Sequence, residues 1–330
     1  MARGLAWQRG TLWKQRLQWL LLRQESVLLL LLALAVVLLS RFNPNFLSAR
    51  NLTNQARLLS EVGLVALPMT FIIITGGIDL SVGSILGLSA IMLGYSWQNW
   101  GFPLPLAMLT AVTIATFAGW LNAWFIVRMR VPPLIMTLAS LTFYRGLAQG
   151  ISQARSVTGY PEWFFGIAQG TLLGLPIPLW LFAIAAVLAA LLLGRTVLGR
   201  SLYAMGHNSV GARFSGLPVG RVLMLIYSFS GLMAGLAAVV FVSRVSTTRS
   251  DMGSGLELDV IAAVVLGGAS IFGGKGSIVG TVLGLLFIQV LKNGLALSGV
   301  TSDATIVVIG AVLIVAVFIN SVVQRRQGLA

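Results

Sequence analysis

Gly274-Lys275-Gly276-Ser277 is the one stretch of this chain that superficially resembles a phosphate loop. A phosphate loop places Gly five residues before its second Gly, then Lys and a hydroxyl residue that reaches Mg²⁺. Here Ala269 stands at the first position and Gly276 at the hydroxyl position, so the match fails twice. Nucleotide chemistry must therefore come from another polypeptide. His207 is the single histidine and cysteine is absent, so no metal centre or thiol chemistry can be assembled from those types. The eight acidic residues are scattered along the chain rather than paired for acid–base hydrolysis. No convergent catalytic set is legible, and neither a metal nor a cofactor is expected.

The elements around these residues point to a membrane. From Leu80 to Val127 there is no charged residue. A bilayer core about 30 Å thick takes about 20 apolar residues per helical crossing. That run reads as two crossings joined at Asn99-Trp100-Gly101-Phe102-Pro103. Composition agrees: 57% of the 330 residues are hydrophobic and 9% charged, where a soluble domain carries roughly a quarter charged.

Uncharged runs and turn signals predict an all-α bundle of about ten crossings, near 27–39, 58–75, 84–98, 104–127, 134–148, 177–194, 222–243, 258–272, 278–297 and 305–323. A basic extension, 1–25, precedes one transmembrane domain, 26–330. Arg3, Arg9, Lys14, Arg16 and Arg23 before the first apolar run outline a signal segment. Its exit through Ser40-Arg41-Phe42-Asn43-Pro44 lacks a small-residue cleavage pattern, so it reads as a retained anchor.

The net charge of +14 is dispersed singly or in pairs between apolar runs, which excludes a nucleic-acid-binding face. Arg128, Arg130, Arg195, Arg200, Arg213, Arg221, Lys275, Arg325 and Arg326 fall on the same side as the N-terminus. The smaller set Arg41, Arg50, Arg57, Arg155, Arg244 and Arg249 falls opposite. The positive-inside bias then places both termini in the cytoplasm. Arg145 and Lys292 fall near outer helix ends, where long basic side chains snorkel.

Two places combine a Gly-Gly pair with a later Gly-Ser-Ile-x-Gly. One runs from Thr75 to Gly87 and contains Gly76, Gly77, Asp79 and Ser81. The other runs from Gly267 to Gly280 and begins with Gly267-Gly268. Paired interruptions in two halves of a chain are the trace of an internal transporter repeat; alternatively, such glycines let helices pack closely. These residues are the helix-break or translocation-path candidates. An acidic group beside a crossing must be capped, paired or hydrated. Asp79 reads as a cap of the following helix, and Glu257 and Asp259 as outer-interface residues that seat the eighth crossing. Asn54, Gln55, Asn122, Gln149 and Asn293 are conceivable path-lining amides, as neutral solutes need, although most intramembrane amides bond between helices.

The strongly polar element between crossings, loop 195–221, lies on the predicted cytoplasmic face. Ser209 is placed to cap a short helix through Phe214, with Gly216 and Pro218 ending it. A solvated connector and a docking helix are the two readings of it. Within it stand Gly199-Arg200, Tyr203-Ala204-Met205-Gly206-His207-Asn208, Ala212-Arg213 and Ser215-Gly216. Together with Thr75–Gly83 and Glu257–Gly268 followed by Gly273-Gly274-Lys275-Gly276-Ser277, this segment resembles the permease subunits of ribose-type ABC sugar importers. The resemblance covers the chain from about Thr75 onward.

That resemblance implies two permease subunits, as a homo- or heterodimer, in a bacterial inner membrane. It also implies two ATP-binding partners and an extracytoplasmic sugar-binding protein. It makes Gly206, His207, Asn208, Ala212, Arg213, Ser215 and Gly216 the coupling residues. Members importing rhamnose or the autoinducer-2 sugar look closest, on Thr158-Gly159-Tyr160 and Thr247 to Gly253. The binding protein is expected to dock near 155–162 and 244–251. The competing reading is a secondary carrier or channel, which would place charged residues within its crossings for ion coupling.

Overall fold

A computed structural model describes residues 24–326; the expected N-terminal extension therefore lies almost wholly outside the described residues. The predicted crossings appear as helices α1 (Gln24–Phe42), α2 (Ala49–Ile74), α3 (Val82–Gln98), α4 (Leu104–Arg128), α5 (Pro133–Ser152), α7 (Ile177–Arg195), α10 (Val219–Val245), α11 (Leu256–Leu266), α12 (Ile278–Leu297) and α13 (Ser302–Arg326). Three shorter helices connect them: α6 (Glu162–Gln169), α8 (Val197–His207) and α9 (Ser209–Phe214). Six helices, α1, α2, α4, α7, α10 and α12, are each long and apolar enough to cross a bilayer.

Two expectations need correction, and one needs a detail added. The eighth crossing ends at Leu266, because Gly267 closes α11 and Gly268, at φ +98°, turns the chain away. The all-α bundle expected from the sequence stands, and the connections between its helices add short strand pairings that sequence did not show. Two-residue strands β1 (Val157–Thr158) and β4 (Thr247–Thr248) pair antiparallel, as do β2 (Thr171–Leu172) and β3 (Leu175–Pro176). Finally, helix α6 occupies what reads in sequence as loop. It is pinned by Ser243, whose hydroxyl donates to Phe164 O at 2.6 Å and accepts from the Ala168 N–H at 3.0 Å.

Helices α2, α3 and α10 form the buried centre, while α1, α4, α5 and α7 present Leu30, Leu34, Phe117, Ile135, Ile184 and Val187 outward. Lipid tails are as apolar as these side chains, so hydrophobic burial does not hold such helices together; close packing does. Gly119 of α4 and Gly231 of α10 show how. A methyl group at Gly119 would overlap the Tyr227 carbonyl oxygen, and one at Gly231 would overlap that of Ala115. Ala263 and Gly267 of α11 meet Gly280 and Gly284 of α12 in the same way.

Candidate functional site

One end of the bundle gathers the three sequence blocks. α8 begins at Thr196, whose hydroxyl accepts from the Gly199 N–H at 3.3 Å. It ends at His207, directly against both helix breaks. A methyl group at Gly206 would overlap Ile74 O and Gly274 N. The Gly274 N–H donates to Ile74 O at 2.9 Å, joining the end of α2 to the turn before α12. Tyr203 donates its hydroxyl to Gly276 O at 2.7 Å, and Ser277 donates to Glu25 of α1 at 2.7 Å. Gly76 (φ +81°), Gly273 (φ +89°) and Gly274 (φ +77°) adopt backbone conformations that disfavour a side chain. Gly206 and the two breaks therefore form one backbone-on-backbone junction.

α9 projects from this junction. Its N-cap is Asn208, not Ser209: the Asn208 Oδ1 accepts from the Gly211 N–H at 2.8 Å, because Ser209 is already helical. Gly216, at φ +82°, terminates it, with the Leu217 N–H returning to Ala212 O at 3.1 Å. Ala212 is buried, whereas His207, Asn208, Arg213, Ser215 and Gly216 are exposed. The two apolar residues Val210 and Phe214, one helical turn apart, are 63% and 88% exposed. In a polar connector that is an unpartnered apolar stripe. Sequence reading missed them, although their i, i+4 spacing was the available signal.

The first break also carries a buried polar chain. Asp79 is fully buried and accepts from the Ser81 N–H at 3.0 Å, the Ser81 hydroxyl at 2.6 Å and the Ser230 hydroxyl at 3.0 Å. Ser81 in turn accepts from Asn122 Nδ2 at 2.8 Å. Asn122 Oδ1 accepts from Ser140 at 2.6 Å and Tyr144 at 3.0 Å. Asp79 thus closes a turn two residues ahead and ties α3, α4, α5 and α10 to it. It does not cap α3 itself, whose first turn has no side-chain cap.

At the opposite end the chain from Ser246 to Gly255 runs non-helically down the side of α3. Methyl groups at Gly94, Gly87 and Gly83 would meet Thr248, then Met252 O, then Gly253 O. The eleven helical rises from Gly83 to Gly94 span about 16 Å. Non-helical backbone packed against a helix over that length must have its polar groups satisfied by protein. Arg145 does so, donating from Nη1 to Ser250 O and Met252 O, each at 2.7 Å. The β1–β4 pairing brings the two segments expected to dock a receptor, 155–162 and 244–251, into one platform. On it Arg249 pairs with Asp251, which holds the Asp251 carboxyl below its usual range.

Beneath this segment lies a cavity of about 570 Å³, walled by α2, α10, α11 and α12. Glu61 and Arg244 form a bidentate pair across it at 2.5 and 3.0 Å, and Lys292 pairs with Asp259. Gln55, Gln289 and Asn293 line the same wall. Of the amides singled out in sequence, Gln55 and Asn293 meet here at 2.8 Å. Asn122 belongs to the Asp79 chain, and Asn54 and Gln149 are exposed elsewhere. Glu257 and Asp259 both lie in the first turn of α11, as expected. The crossings are less free of charge than their apolar runs suggest, since Glu61, Asp259 and Lys292 sit within helices α2, α11 and α12.

Residues 51–317 match the family described as branched-chain amino acid transport system / permease component. The chain is 38% identical over 309 residues to the autoinducer 2 import system permease protein LsrD of Escherichia coli K12, covering 92% of this chain and 93% of that protein. The same figures hold for LsrD of Shigella flexneri. No solved structure matches.

Proposed function

The chain belongs to the branched-chain amino acid transport system / permease component family, and we propose on that premise that it carries autoinducer 2 or a similar small sugar-like solute inward. It is a multi-pass membrane permease subunit of a sugar-type ABC importer, not an enzyme in its own right. In this reading ten helices cross the bacterial inner membrane, both termini face the cytoplasm, and a second permease subunit completes the conduit. One of two ATP-binding partners seats on α9, the other on the second permease subunit, and an extracytoplasmic binding protein seats on the β1–β4 platform.

The observation that carries the reading is the junction at Gly206. A push on the exposed Val210–Phe214 stripe reaches α8, and Gly206 of α8 packs backbone on backbone against both breaks, with Tyr203 bonded to the second. Backbone contacts have no rotamers to absorb displacement, so movement passes on. Alternating access then follows from two arrangements of the bundle with different affinities for the two partners. Asp79, Ser81, Gly76, Gly77, Gly267 and Gly268 set the geometry of the breaks, while Gly206 to Gly216 receive the stroke. Glu61, Asp259 and Lys292 each already have a partner, which leaves the ion-coupling role of a secondary carrier without a free group among them.

The test is reconstitution with the cognate ATP-binding subunits and receptor. ATP-dependent uptake of labelled autoinducer 2 is expected. Ion-driven uptake by this chain without any ATPase would overturn the reading.

A further inference from the structure

The cavity walled by α2, α10, α11 and α12 has a composition that selects a ligand class. Its charged lining residues are Glu61, Arg244, Arg249, Asp251, Asp259 and Lys292. Each anion is bonded to one of the cations, in the pairs Glu61–Arg244, Arg249–Asp251 and Lys292–Asp259. The wall therefore carries no net charge and offers no unpaired charge to an ionic ligand. An anion or cation entering it would lose hydration without gaining a free counter-charge.

The neutral polar groups are arranged in a directional chain. Gln289 Nε2 donates to Gln55 Oε1 at 2.5 Å, and Gln55 Nε2 donates to Asn293 Oδ1 at 2.8 Å. A side-chain amide has two N–H donors and an oxygen with two lone pairs. The chain thus terminates in free N–H donors on Asn293 and a free acceptor on Gln289. A hydroxyl group is both donor and acceptor, so a compound with several hydroxyls can satisfy both termini at once. Leu58, Val62 and Phe241 supply apolar surface on the same lining, suited to the C–H face of a sugar ring.

We infer that this cavity is a holding site for a small uncharged polyhydroxyl compound, with Asn293, Gln55 and Gln289 as its hydrogen-bonding wall. The inference rests on the importer reading for its biological meaning, but the site is defined by geometry alone. Its affinity is weak, because a transported solute must leave again.

The chain contains no cysteine, so a single thiol can report on the cavity. Val62→Cys places one on the lining, and Leu173→Cys places a control on a residue that is 85% exposed. In the assembled importer, a hydrophilic maleimide is expected to label both. Ribose or autoinducer 2 at ten times its half-protecting concentration should slow labelling of Val62→Cys about tenfold, following site occupancy. The control should be unaffected, and a sugar acid of the same size should not protect. Adding Asn293→Leu to the reporter should remove protection, while Asn293→Ser, which keeps a donor, should retain part of it. Absence of protection by any neutral polyol, equal protection by the sugar acid, or a Val62→Cys thiol that no reagent reaches would each overturn the site. Protection without ATP-dependent uptake would instead leave the site standing and remove the importer reading.

Discussion

At the α8 end, Gly206, Gly273 and Gly274 let three stretches of backbone touch, and main-chain groups join them. At the cavity end, Glu61, Arg244, Asp259 and Lys292 span wider gaps with long side chains around open space. The difference is one of adaptability. Side chains with several rotatable bonds can exchange partners when a helix moves, whereas a peptide against a glycine has one way to fit. The first end is built to move as a unit and the second to rearrange.

The largest effect is expected from filling the tight end. Gly206→Ala would press a methyl group onto Ile74 O and Gly274 N, both backbone atoms with no freedom to withdraw. Overpacking of this kind costs about 3 kcal/mol. Thermal unfolding in detergent should show a lowered midpoint, together with loss of receptor-stimulated ATP hydrolysis in the assembled complex. A variant as stable and as well coupled as the wild type would break the contrast between the two ends.

A smaller effect, and a different kind, is expected at the cavity. Glu61→Gln leaves the guanidinium of Arg244 without its carboxylate in a mostly buried position, a loss of about 3 kcal/mol at most. Glu61→Leu combined with Arg244→Met removes both charges and should lie closer to the wild type than either single change. A double-mutant cycle on unfolding midpoints measures this directly. Additive losses would mean that the pair is not the contact holding α2 to α10.

The smallest effect belongs to the exposed platform. The Arg249–Asp251 pair is more than half exposed, so screening leaves it little influence on stability. Asp251 has a folded-state pKa below the ordinary carboxylate value, so its contribution is complete above that value and is lost only as pH falls through the lower folded one. Asp251→Asn should therefore shift the unfolding midpoint by the same small amount at pH 7 and pH 5. A difference that grows between those two values would place the pair in a more buried setting.

Much of this architecture was legible because lipid imposes length. Uncharged runs located every helix from α1 to α13 that aligns with an expected crossing, and the turn at Asn99–Pro103 fell between α3 and α4 as read. What sequence could not supply was depth. Nothing in Ser246–Gly255 says that it descends beside α3, because the feature that admits it is the absence of side chains at Gly83 and Gly87. Nor does Asp79 announce its partners, which come from Ser230, 151 positions away. Gln289 escaped notice for the same reason: one amide in an apolar helix gains meaning only when Gln55 and Asn293 arrive beside it.

The bond from the Gly274 N–H to Ile74 O has a mechanical corollary. It ties together points two hundred residues apart at the end where α8 rests, much as a rivet fixes the handles of tongs. Turning of the riveted end as one unit is delivered with growing amplitude toward the jaws. In the proposed importer cycle the widest excursions are therefore expected at the far rim, among Arg244, Lys292 and the strand-paired Thr247–Thr248, several helical turns away.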